Sequence, residues 1–103
     1  MEIHFNNTYL ERLYVGARLT GKPRYSREVI EKFQKRVVLL EALDSTKELK
    51  NFASLNFEAL KGDKKGLYSI RIDRKYRLEF SIDKNNLTLH EMIFVEDLSN
   101  HYQ

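Results

Sequence analysis

The sequence predicts an α+β domain in which helices cover the apolar face of an antiparallel meander of at least three strands. Three observations carry this. Apolar residues recur at helical spacing in the first half only, and they alternate at period two in the second half. The one proline and two of the four glycines fall together in residues 16–25, between two helical patterns. At 103 residues and 12.3 kDa the chain reads as a single domain over 1–103. Area scaling gives roughly 6,100 Å² folded against about 17,800 Å² extended, enough burial for one modest core.

Glu2 to Phe5 reads as a short edge strand. Asn7 or Thr8 then caps a helix with Leu10, Leu13, Tyr14 and Ala17 on one face. Ser26 caps a longer helix to about Leu43, with a stripe of Ile30, Phe33, Val37 and Leu40 widened by Val29 and Leu43. Glu28 with Lys32, and Glu31 with Lys35, are i,i+4 pairs on its wet side. Ser45-x-x-Glu48 is a capping box for a shorter helix to about Phe52. Strands follow at Leu67 to Ile72, Tyr76 to Ile82 and Leu87 to Val95, the last two separated by the turn cluster Asp83-Lys84-Asn85-Asn86.

Composition excludes several function classes. With 42% hydrophobic and 32% charged residues the chain is globular rather than fibrous or disordered. Having no cysteine, it has no disulfide, thiolate zinc site or cysteine nucleophile, which fits a reducing cytoplasm. No apolar run is long enough for a membrane span, and Met1-Glu2-Ile3-His4 is not the start of a signal peptide. The expected location is cytoplasmic, with no membrane partner. The histidines at 4, 90 and 101 lack zinc-binding spacing, and G-x-S-x-G is missing, so neither a metal site nor serine-hydrolase chemistry is expected. His4 and His90, each set among apolar strand residues, read as structural.

Charge is unevenly spread. Of the net +3, residues 61–77 supply seven basic residues (Lys61, Lys64, Lys65, Arg71, Arg74, Lys75, Arg77) and two acidic ones (Asp63, Asp73). One segment of +5 in a chain otherwise at −2 suits a surface that meets an anion, although a solvated basic hairpin has the same composition. Register sharpens the choice. Only a three-residue loop, Asp73-Arg74-Lys75, pairs apolar with apolar: Ile72 with Tyr76, Ile70 with Leu78, Tyr68 with Phe80. The same register sets Arg71 across from Arg77 on the polar face. Like charges facing across a ladder cost some tenths of a kcal/mol. Two guanidinium forks side by side suit a phosphate, with Glu79 near enough to neutralise them in part. A salt-bridged surface pair is the other reading. Tyr68, Tyr76 and Phe80 share the parity of Ile70 and Leu78, which assigns them to the core rather than to base stacking.

The run Leu60-Lys61-Gly62-Asp63-Lys64-Lys65-Gly66-Leu67-Tyr68-Ser69-Ile70-Arg71-Ile72, followed by Tyr76-Arg77-Leu78-Glu79-Phe80, closely resembles the HigB branch of the RelE/ParE toxin superfamily. Lys35-Arg36-Val37 and Leu39-Leu40 in the flanking helix are similar too, and the resemblance spans essentially the whole chain. It implies a RelE-like fold, a curved antiparallel sheet with N-terminal helices packed on one face. It also implies the toxin of a type II toxin–antitoxin pair: a ribosome-dependent endoribonuclease that cuts messenger RNA by 2′-hydroxyl attack, with no metal or other cofactor. The implied partners are messenger RNA, the ribosome and a HigA-like helix-turn-helix antitoxin. By the same resemblance Arg71 and Arg77 are active-site arginines and Lys61 holds substrate phosphate; from the residues alone, the Gly62–Gly66 loop with Lys61, Lys64 and Lys65 reads as a second wall of a basic groove. The family often ends in Tyr-His, whereas this chain ends Ser99-Asn100-His101-Tyr102-Gln103. His101 and Tyr102 are therefore both candidates for proton transfer. Arg71→Ala or Arg77→Ala is expected to abolish toxicity with thermal stability nearly unchanged. Two alternatives stand beside the nuclease: a ParE-like toxin that inhibits DNA gyrase, and a non-catalytic RNA- or ribosome-binding module.

Overall fold

A computed structural model describes residues 1–100. Strand β1 (Glu2–Phe5) leads into helix α1 (Thr8–Val15), which begins where the Asn7 side chain accepts from the Leu10 amide at 3.1 Å. The helix stops at Gly16, left-handed at φ 74°, so Ala17 lies beyond the helix and exposed rather than on its apolar face. Helix α2 (Arg27–Ala42) starts from the expected cap, with Ser26 Oγ accepting from the Val29 amide at 3.2 Å. It buries Val29, Phe33, Val37 and Leu40 against the sheet and α1. Glu28 and Lys32 pair at 3.1 Å as expected, while Glu31 lies 3.9 Å from Arg27, one turn back, rather than with Lys35. The Ser45 segment forms a 3-10 turn over Thr46–Asn51 instead of an α-helix. Its hydroxyl accepts from Lys47, and Glu48 caps the Asp44 amide at 2.9 Å.

The remaining strands are β2 (Glu58–Ala59), β3 (Tyr68–Arg71), β4 (Arg77–Lys84) and β5 (Glu91–Ser99). They form one five-stranded sheet in the order β1-β5-β4-β3-β2, in which β1 runs parallel to β5 and every other pair is antiparallel. The expected register between β3 and β4 is the observed one. Tyr68 faces Phe80, Ile70 faces Leu78 and Arg71 faces Arg77, and the Ile72 amide donates to the Tyr76 carbonyl at 3.1 Å. Ile70, Leu78, Phe80, Ile93 and Val95 are fully buried beneath α2, and each apolar side chain so buried contributes about 1.5–3 kcal/mol.

The last strand differs from expectation. Residues 87–90 are not strand, because the Asn85 carboxamide oxygen accepts from the Leu87 and Thr88 amides and closes the hairpin loop. Strand β4 therefore continues to Lys84, and β5 begins at Glu91 and continues to Ser99. His90 sits in the loop, exposed, rather than mid-strand. Within β5 the register shifts: Glu79 faces Asp97 but Phe80 faces Val95, leaving Glu96 as a bulge. Past it the parity inverts. Leu98 turns into the core behind Ile93 and Val95, and Asp97 and Ser99 turn to the polar face.

Glu91 anchors the far end of the sheet. Its carboxylate accepts from Ser45 Oγ at 2.8 Å, from the Thr46 amide at 2.9 Å and from the Thr46 hydroxyl. Burial pushes this carboxyl up, but the Thr46 and Ser45 hydrogen bonds outweigh it and hold it below the ordinary glutamate value. A depressed folded pKa contributes stability that is complete above the unfolded value of about 4.3 and is lost as pH falls through the folded one. Glu91→Gln should therefore cost about 1 kcal/mol at pH 7, with the deficit shrinking as pH falls below the unfolded value of about 4.3 and gone once the folded carboxyl is protonated, as read by urea unfolding across that range.

Leu89 offers the opposite test. It adopts φ 62° with its side chain 67% exposed, so the backbone is strained and little packing is at stake. Leu89→Gly should raise stability by about 0.5–1 kcal/mol, seen as a higher urea midpoint at unchanged m.

Candidate functional site

The polar face of the sheet carries two adjacent rungs: Arg71, Arg77 and Ser99 across β3, β4 and β5, then Ser69, Glu79 and Asp97. At the first rung a cleft of about 280 Å³ opens at the β3–β4 turn, with Arg71, Arg74, Lys75 and Arg77 among its walls and Asn56 and Glu58 opposite. The turn is ordered by Asp73, whose carboxylate accepts from the Lys75 amide at 2.9 Å and the Tyr76 amide at 2.7 Å.

The two arginines share the cleft but not their surroundings. Arg71 is exposed, as its parity predicts. Arg77 is only 5% exposed, which corrects the expectation of two forks on an open face. Its Nε donates to Ser69 Oγ at 2.8 Å, and its Nη2 donates to the Asn56 carbonyl and, at 3.3 Å, to the Ser69 carbonyl. Glu58 Oε1 stands 3.7 Å from the same nitrogen. The physical reason is the crossing from the 3-10 turn Ala53–Leu55 into β2. Asn56 ends that turn in the left-handed region, at φ 45°, and puts its carbonyl over the sheet. A buried guanidinium with satisfied donors is a fixed point of positive charge.

Glu79 lies on the rung next to the arginine pair. It is 1% exposed, and Lys64 Nζ bonds its carboxylate at 2.7 Å. Of the three lysines expected to bind substrate, Lys64 is thus folded onto the sheet, whereas Lys61 and Lys65 are exposed. The loop bearing them turns at Gly62, φ 66°, and Gly66, φ 98°, conformations that a side chain would strain.

His101 and Tyr102, the candidates for proton transfer, lie outside the described residues. His4 stacks on Phe94, ring centroids 4.9 Å apart, and pairs with Glu2 at 3.2 Å, which is a structural setting on β1 and β5. Among the described residues no group of three or more His, Asp or Glu side chains is placed to hold a metal ion. Phe80 is core, as expected. Tyr68 is half-buried against Phe57 at 5.6 Å, and Tyr76 is half-buried against Tyr25 at 5.6 Å.

Sequence reasoning missed Arg36 as a backbone support next to the site. Its Nε donates to the Arg71 carbonyl at 3.1 Å, tying α2 to the rung of arginines. The available signal was position. Arg36 falls three residues after Phe33 and four before Leu40, on the stripe that faces the sheet, where a cation requires a partner.

The contrast in burial separates the two arginines in stability. Arg77→Ala should destabilise the fold by about 2–4 kcal/mol, because it strands the buried Ser69 hydroxyl and the carbonyls it serves. Arg71→Ala should stay within about 0.5 kcal/mol of the parent protein. Chemical denaturation of both variants checks this, and it replaces the expectation that neither change affects stability.

Comparison with known proteins places the chain. Among solved structures it is similar to a YoeB/ParE toxin from Agrobacterium tumefaciens, with TM-score 0.57 and 17% identity over 99% of this chain and 100% of that one. It is also similar to YafQ from E. coli, with TM-score 0.60 and 12% identity over 97% and 92%. The toxin in a YoeB–YefM complex from Staphylococcus aureus matches with TM-score 0.53 and 20% identity over 99% and 98%. At these identities the likeness is one of fold. No curated protein matches the chain. The model of the HigB-like toxin family matches residues 3–93. With a RelE-like sheet, a basic cleft at its β3–β4 turn and a family match over most of its length, the chain belongs to the HigB-like family of RelE-like toxins from type II toxin–antitoxin systems.

Proposed function

We propose that this toxin is an endoribonuclease that cuts messenger RNA on the ribosome, with the Arg71–Arg77 cleft as the site that receives the scissile phosphodiester. The observation that carries the reading is that cleft, where two facing arginines from adjacent strands and two further cations share one small concavity.

The chemistry follows from what the residues can and cannot do. The substrate's 2′-oxygen attacks the adjacent phosphorus, the bond from phosphorus to the 5′-oxygen breaks, and the products are a 2′,3′-cyclic phosphate and a 5′-hydroxyl. A proton leaves the 2′-hydroxyl and another reaches the 5′-oxygen. Arginine stays protonated and moves neither, so Arg71 and Arg77 serve the phosphate oxygens as charge develops on them. Exposed Arg71 reaches for the phosphate while Arg77 stands fixed at the cleft wall. His101 and Tyr102 carry the proton transfers in this reading. Lys61 and Lys65 receive flanking phosphates, and Lys64 supports the site through Glu79. The reading places no metal or other cofactor in any step. The partners are messenger RNA, the ribosome and a HigA-like antitoxin, and the location is the cytoplasm; no helix among the described residues is long and apolar enough to cross a membrane.

One observation favours the non-catalytic alternative, an RNA- or ribosome-binding module: Arg77 gives donors to Ser69 and Asn56. Induction without antitoxin, followed by mapping of new 5′ ends on translated messages, separates the readings. The nuclease yields ribosome-dependent cuts, and Arg71→Ala lowers cleavage about 10²–10³-fold without unfolding the protein. Damaged DNA with intact messages would point to gyrase inhibition, and growth without toxicity would point to the binding module.

A further inference from the structure

Outside the candidate site, residues 12–27 contain five basic side chains, Arg12, Arg18, Lys22, Arg24 and Arg27, and no acidic one. The segment runs from the last turn of α1 through the connecting loop to the first residue of α2, and all five are exposed. Among the described residues only Arg27 has a carboxylate in ion-pairing range, Glu31 at 3.9 Å. Glu11 and Glu28 flank the segment and Asp97 lines a concavity with Arg24, yet the excess of exposed positive charge within the segment favours an anionic partner over solvent alone.

The loop is held in place. The Tyr25 hydroxyl donates to the Leu98 carbonyl at 2.9 Å, and the Tyr25 ring meets Tyr76 edge-on at 5.6 Å. Burial first, and the neighbouring Asp97 next, push the Tyr25 phenol above its ordinary pKa, so it remains a donor. The Arg24 amide donates to the Tyr9 hydroxyl at 3.3 Å, and the Arg24 guanidinium lies 4.1 Å from the centre of the Tyr9 ring. Stacking engages the face of a guanidinium, and the N–H groups in its plane still reach oxygen acceptors. Tyr76, against which the loop is anchored, immediately precedes Arg77. The second basic surface therefore begins at the same end of the sheet as the cleft.

We propose that the loop surface centred on Arg18, Lys22 and Arg24 is a second RNA phosphate-binding surface, which holds the sugar–phosphate backbone beyond the cleaved linkage. The inference rests on the reading of the cleft as an RNA site. Arginine predominance, a cation stacked on tyrosine and placement at the cleft's end of the sheet favour RNA over an acidic protein segment.

The test measures binding of a short single-stranded 2′-O-methyl RNA, which lacks the attacking hydroxyl, by fluorescence anisotropy over a range of salt. A triple variant (Arg18→Ala, Lys22→Ala, Arg24→Ala) should lose about tenfold in affinity at low salt. The slope of log affinity against log salt should become shallower by about 2, near 0.7 for each lost phosphate contact. A charge-matched triple variant at the far end of the sheet (Lys47→Ala, Lys50→Ala, Lys84→Ala) should keep the parent slope. If replacing Arg24 disturbs the loop, Arg18→Gln with Lys22→Gln carries the same test with a slope change of about 1.4. An equal loss in both charge-matched variants would overturn the proposal, since net charge would then explain it. So would unchanged RNA binding alongside lost binding to poly-glutamate, which would mark a protein surface. If Arg71→Ala alone weakens binding, this inference fails and the cleft reading stands; if the parent protein binds no RNA, both fail.

Discussion

Side-chain parity across β3 and β4 is the constraint on which the molecule turns. Tyr68, Ile70 and Ile72 must face the helices, as must Leu78 and Phe80, and only a three-residue connection lets both sets do so. That choice is made by burial, several kcal/mol in favour, and it fixes the polar face as a consequence. Arg71 and Arg77 then face each other whether or not their charges prefer it, because the repulsion of some tenths of a kcal/mol is small beside the core. The candidate site is thus organised by hydrophobic residues on the opposite side of the sheet.

The fold resolves the crowding of cations by giving the two arginines different surroundings. Arg77 is sealed by Ser69 and by the carbonyl of Asn56, with Glu58 nearby, while Arg71 stays in water with Arg36 bonded to its backbone. Glu79, which sits one rung further along β4, serves Lys64 instead. Each buried charge on this face has its own polar partner, as burial requires.

What was legible in the sequence was what single elements decide locally. Ser26 announced its helix through its own side chain, Asn7 did so as one of two candidate caps, and the stripe of α2 announced its buried face. The β3–β4 register followed from parity alone. What was not legible depended on residues distant in sequence. Leu87 and Leu89 look like strand by composition, but Asn85 closes a loop around them, and Glu91 begins β5 because Ser45 and Thr46 reach it from the other side of the chain. The bulge at Glu96 inverts the parity of Asp97 and Leu98, which no period-two pattern anticipates. The burial of Arg77 was hidden for the same reason. Its cover comes from Asn56 and Glu58, and β2, at two residues, is too short to show any alternation.

The difference between the arginines bears on how such a site works. A donor that is already oriented when the substrate arrives loses no side-chain entropy in the reaction, and preorganised donors of this kind account for much of enzymatic charge stabilisation. Arg77 has met that ordering cost during folding, through bonds that set the plane of its fork. Arg71, which is exposed, would meet that cost when the proposed substrate binds, up to about 2 kcal/mol of side-chain entropy. Under the proposed function, the fixed arginine would define where the phosphate lies and the exposed one would adapt to it. On that reading, a register imposed by the core, followed by selective burial of one partner, gives the cleft one fixed and one adaptable cation.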